Sequence, residues 1–147
     1  MIGLLQFAGV MSALFFTGIA IYVSLGEHPA RMECGTELAA TVFGPSYKRA
    51  SRIQAGLSSV ATLAGIILWL MGAGAMWLIG ALFIFAVVPF TLIVIMPTNR
   101  KLLDSKLNRT DETTAELLNK WARLHAIRSL LGLVSSSIYL SLLIRRW

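Results

Sequence analysis

Charge is scarce in this chain: Asp, Glu, Lys and Arg make up 14% of its 147 residues, against 56% hydrophobic, with a mean hydropathy of +0.74. A soluble domain of this size carries about a quarter charged residues, so a water-soluble globule is excluded. Cysteine is reduced to Cys34, which rules out an internal disulfide, and no CxxC or Cys/His zinc spacing is present. Short catalytic signatures are missing too: no GxSxG, Walker A, HExxH, GxGxxG or CxxCH run occurs. No acid falls inside any long apolar run, and inverted-repeat transporters need more helices than four. The balance of 13 Lys and Arg to 7 Asp and Glu gives a net charge of +6. High basicity can mark a nucleic-acid partner. Here the cations punctuate apolar runs, which points to a bilayer and not to nucleic acid.

What the chain has is long apolar runs. Ile2 to Leu25, Ile53 to Met71 and Ala75 to Met96 hold no charge, and Ala126 to Ile144 holds only Arg128. Each approaches the roughly 20 residues that span about 30 Å of hydrocarbon as a helix, and backbone in lipid must satisfy its own hydrogen bonds. The expectation is one all-α domain, a four-helix transmembrane up-down bundle, with helices over about 2–26, 50–72, 75–96 and 113–144. Gly72-Ala73-Gly74 makes a tight turn flanked by Trp69 and Trp77 at interface depth, whereas 26–52 and 97–125 read as long polar connections on one side. That side collects 11 of the 13 Lys and Arg, leaving Arg145 and Arg146 on the other. The positive-inside rule then places both long loops in the cytoplasm and both termini across the membrane.

Small residues four apart, at Gly9/Ala13, Ala61/Gly65 and Gly132/Ser136, suit close helix approach. Pro89 is expected to kink the third helix beside Thr91. Thr113-x-x-Glu116 has the spacing of a capping box at the start of the fourth.

Polar chemistry gathers at one end of the bundle, in Glu27-His28-Pro29-Ala30-Arg31, Tyr47-Lys48-Arg49, Pro97-Thr98-Asn99-Arg100-Lys101, and Trp121 with His125 and Arg128. His28 and His125, the two histidines, suit a base, a proton shuttle or a metal ligand near neutral pH. A metal held by Glu27, His28 and His125 is one reading, provided that the helix breaks at Pro29. Interfacial histidines satisfied by backbone or water are another. Arg128 sits where an isolated cation is costly. It either pairs with Glu27, clamps an anion, or does both. Lys48, Arg49, Arg100 and Lys101 serve topology and lipid headgroups.

The ordered set Tyr22-Val23-Ser24-Leu25, Glu27-His28-Pro29-Ala30-Arg31, Tyr47, Pro97-Thr98-Asn99-Arg100-Lys101-Leu102 and Trp121-x-x-x-His125-x-x-Arg128 resembles the small four-helix membrane proteins grouped with the fungal anthrone oxygenases. The resemblance spans essentially the whole chain. It implies a membrane-embedded monooxygenase that oxidises an anthrone-like, polyketide-type apolar substrate with O2, without flavin or haem. On that reading His125 or His28 is the base and Arg128 stabilises the enolate or peroxide anion. Glu27 orients a histidine or Arg128, Tyr47 and Asn99 bond phenolic oxygens, and Trp121 lines the substrate site. No cofactor is required, although a metal stays open. The competing readings are a non-enzymatic membrane protein that binds a lipid, quinone or partner helix, and a histidine-based metal or haem redox protein.

Overall fold

The computed structural model describes residues 1–145, so Arg146 lies outside the described residues. Four helices, each long and apolar enough to cross a membrane, make up the molecule: α1 Ile2–Glu33, α2 Thr36–Leu70, α3 Ala75–Leu102 and α4 Glu112–Ile144. No strand occurs among the described residues. α1 and α3 each pack against both α2 and α4, which closes an up-down bundle.

The helices are longer than the apolar runs. The segment 26–52, expected as a polar connection, is helical apart from a two-residue turn at Cys34–Gly35 (Gly35 φ 95°). The prolines misdirect any reading of breaks, because all four lie within helices. Two are accommodated in the same way. π-helical Val23–Glu27 precedes His28-Pro29, and π-helical Thr91–Ile95 precedes Met96-Pro97. Proline lacks an N–H and its ring collides with the carbonyl four residues back. Widening the preceding turn to the π form, with i→i+5 bonds, relieves that conflict. Pro89 lies two residues before the second π segment, inside an unbroken α-helical stretch, and Thr91 Oγ1 donates to the Val87 carbonyl at 2.7 Å. α4 starts at Glu112 with Asp111 before it, and the expected capping box supplies no side-chain bond there.

Met71–Gly74 turns tightly between α2 and α3, with Gly72 and Gly74 at φ 77° and 112°. Trp69 is partly exposed, but Trp77 is buried and packs on Tyr139 instead of facing an interface. The three small-residue pairs do lie between helices. Gly9 leaves only 3.0 Å between a built Cβ and Ala64, and Gly132 faces Phe16 and Thr17. Small residues let hydroxyls reach across. Thr17 and Ser136 bond at 2.8 Å, the Tyr139 hydroxyl donates to the Ala61 carbonyl at 2.9 Å, and Ser135 donates to that of Gly80 at 2.7 Å. Such bonds within a bundle contribute about 0.6 kcal/mol each.

The core is divided. One apolar cluster, built on Phe16, Leu68, Trp77, Ile84 and Tyr139, fills the half near the glycine turn. A second, built on Val23, Phe43, Ile95, Leu118 and Trp121, fills the half near Cys34. Polar residues lie between them.

Candidate functional site

A cavity of about 40 Å³, lined by all four helices, lies where these polar residues meet the second cluster. This volume holds a few waters. α1 supplies Val23 and Arg31, α2 supplies Phe43, Ser46, Tyr47 and Gln54, α3 supplies Thr91, Ile95 and Asn99, and α4 supplies Trp121, His125 and Arg128. Up-down topology brings these sequence-distant groups to one depth. On α4, Trp121, His125 and Arg128 share a face through spacings of four and three.

His125 is the most constrained group. Its Nδ1 lies 2.9 Å from Ser24 Oγ, and Arg128 Nη1 lies 3.3 Å from its Nε2. A guanidinium only donates, so Nε2 is the acceptor and Nδ1 carries the proton. Ser24 Oγ in turn lies 3.1 Å from Ser129 Oγ, and Ser129 donates to the carbonyls of His125 and Ala20 at 3.0 and 3.2 Å. The hydroxyl chain ends on backbone acceptors and cannot return a proton to Nδ1. It fixes the tautomer that leaves a lone pair on Nε2 at the cavity. The imidazole also stacks on Trp121, with centroids 4.7 Å apart.

Arg128 departs from expectation. Its partners are His125 and the Phe16 ring, 5.0 Å below the guanidinium carbon, and not Glu27. Glu27 pairs with Arg31 at 3.7 Å and accepts a 2.6 Å hydrogen bond from Ser46. A continuous helix through Pro29 turns Glu27 toward α2, which takes it away from α4. The metal set Glu27, His28 and His125 fails for the same reason. Among the described residues no three His, Cys, Asp or Glu side chains converge. His28 is buried against Trp121 at a centroid distance of 5.3 Å and does not line the cavity. Neither ring nitrogen of His28 has a hydrogen-bond partner among the described residues. Of the expected site residues, His125, Arg128, Tyr47, Asn99 and Trp121 meet at the cavity, while Glu27 and His28 stand behind it. Tyr47 stacks flat on Phe43, 5.8 Å between centroids.

Buried hydrogen-bonding atoms around this cavity are left unused. Arg31 Nε, Gln54 Nε2, Asn99 Nδ2 and Oδ1, Trp121 Nε1 and Arg128 Nε have no partner among the described residues. Buried polar groups normally find one. All but one of these atoms are donors, so the cavity suits a ligand rich in acceptor oxygens. Arg31, Gln54, Ser24 and Ser129 were not anticipated as site residues. Gln54, a lone carboxamide one residue into an apolar run, was the available signal.

A family model described as anthrone oxygenase matches residues 43–138. Anthrone oxygenase tpcL of Aspergillus fumigatus is 27% identical over 150 residues, covering 95% of this chain and 93% of that protein. No solved structure matches the chain.

Proposed function

The chain belongs to the anthrone oxygenase family, and from that premise we propose that it oxidises an anthrone-like methylene to a carbonyl with O2 at the His125–Arg128 cavity. The observation that carries this reading is the Nε2 lone pair of His125, set by Ser24 beside a guanidinium in a buried site. Anthrone C–H is acidic because its carbanion delocalises into a phenolate-like anion. His125 Nε2 takes that proton, and the N–H groups of Arg128 move onto the oxyanion that forms. An electron-rich anion of this kind passes one electron to O2, and the resulting radicals join as a peroxide on the former methylene carbon. Loss of the remaining C–H proton then breaks the O–O bond. One oxygen stays as the new carbonyl and the other leaves as water, so substrate and O2 balance without an external reductant.

Tyr47 and Asn99 bond the phenolic oxygens, and Trp121 supplies a flat wall. Glu27 acts at one remove by holding Arg31. His28 packs tilted against Trp121 and does not line the cavity, which leaves His125 as the base. Binding sites for small molecules commonly measure about 300–1,000 Å³, so the resting cavity must open to admit a tricycle. The four apolar helices support a bilayer as the surrounding medium and lateral entry as the route.

The test is anthraquinone formation by purified protein, measured above spontaneous oxidation. His125→Ala is expected to lower kcat by roughly 100-fold or more, in the range of general-base catalysis, and His28→Ala by far less. If the protein with both histidines changed to alanine turns over as fast as wild type, the proposal is wrong.

A further inference from the structure

The wall of the cavity nearest the Cys34–Gly35 turn differs from its reacting end. Arg31 is 7% exposed and lines the cavity, and its Nε has no partner. Glu27, the acid beside it, lies 3.7 Å away, beyond hydrogen-bond reach, and the same Oε1 already accepts from Ser46. Glu27 thus offsets the charge of Arg31 without using its donors. Asn99, fully buried, leaves both amide atoms unpaired against the same cavity, and Trp121 leaves its indole N–H. An incompletely bonded guanidinium at this depth is costly and marks a functional position. On α1, Arg31 lies seven residues from Ser24, the partner of His125, so the two levels are about 10 Å apart at 1.5 Å per residue.

We infer that Arg31 anchors an ionised oxygen on the outer ring of the substrate, remote from the carbon that reacts, with Asn99 and the Trp121 N–H completing its hydrogen bonds. Arg31 is then the residue by which this site distinguishes a ring with a free acidic oxygen from a bare or capped one. This rests on the oxygenase reading for the reaction, but not for the binding.

The test compares an anthrone carrying one outer-ring hydroxyl with its methyl ether. Wild type is expected to favour the phenol by about tenfold or more in kcat/KM, because a site built to donate to a substrate oxyanion discriminates against its capped analogue. Arg31→Gln is expected to lower kcat/KM for the phenol about tenfold more than for the ether, chiefly through KM, and Arg31→Lys to recover part of the preference. A wild-type ratio near one, or equal losses on both compounds, overturns the anchor and leaves oxygenation standing. Absence of turnover with either compound refutes the oxygenase reading instead. In that event, binding of the corresponding hydroxyl- and methoxy-anthraquinones, followed by quenching of tryptophan fluorescence, decides on Arg31 by the same comparison.

Discussion

At the scale of single residues, the account turns on hydrogen-bond direction. His125 has a lone pair where chemistry needs one because Ser24 and Ser129 exhaust the alternatives for its other nitrogen. Ser24→Ala is therefore expected to lower kcat with little change in KM, since ring orientation is lost while the cavity wall stays intact. Arg128→Ala is expected to lower kcat by roughly 100-fold or more, the usual effect of removing an oxyanion donor. A different residue tests the packing. A Cβ on Gly65 would run into the Tyr139 hydroxyl and come within 2.8 Å of the Trp77 carbonyl. Gly65→Ala is expected to destabilise by about 1–3 kcal/mol, visible as a lower midpoint of thermal unfolding in detergent. That His125, Arg128, Tyr47, Asn99 and Trp121 gather at one end of the bundle was legible in the sequence, because polar groups flanking apolar runs are few. Their partners were not. Adjacent side chains such as Glu27 and His28 diverge by about 100° on a helix, so the path of the helix decides where each one goes. Holding one metal with Glu27, His28 and His125 presumed a break at Pro29 that the chain does not make.

At the scale of elements, the four apolar runs fixed the number of helices but not their ends. Proline in water-soluble helices is a breaker, whereas here Pro29, Pro45, Pro89 and Pro97 all continue one. Packed neighbours and π turns re-satisfy the freed carbonyls. Helix length beyond the apolar run has a consequence for the site. α2 has 35 residues, about 52 Å at 1.5 Å per residue, so Phe43, Ser46 and Tyr47 approach the cavity as fixed positions and not as loop residues. The π segment Thr91–Ile95 does the same for α3 by placing Thr91, Ile95 and Asn99 on the cavity. Pro97→Ala restores a donor for the Ile93 carbonyl and removes the strain that the π turn relieves. The expected outcome is unchanged or higher thermal stability together with lower activity. Reduced stability with full activity would show that the π segment does not depend on Pro97.

At the scale of the whole molecule, an asymmetric bundle has one apolar half held by hydroxyl-to-carbonyl bonds between helices and another whose apolar cluster borders a cavity with polar groups in its wall. By the positive-inside rule, the distribution of Lys and Arg predicts that the end near Cys34 faces the cytoplasm. Cys34, the one cysteine and exposed at the α1–α2 turn, reports this without any substitution. A membrane-impermeant maleimide is expected to label it in inverted vesicles and not in intact cells, and the opposite pattern would reverse the orientation. Fold class was readable from composition alone, since a chain this poor in charge has few ways to satisfy its backbone in lipid. The cavity was not readable, because its walls come from four helices whose rotations no local pattern specifies.

The most direct measurement of the central claim is turnover of a hydroxylated anthrone under ¹⁸O2 by wild-type protein and by His125→Ala. The account predicts anthraquinone with one heavy oxygen at the former methylene carbon and the second in water, formed by wild type well above the spontaneous rate and by the variant near it. Equal rates in the two proteins, or a new carbonyl oxygen drawn from solvent, would contradict it.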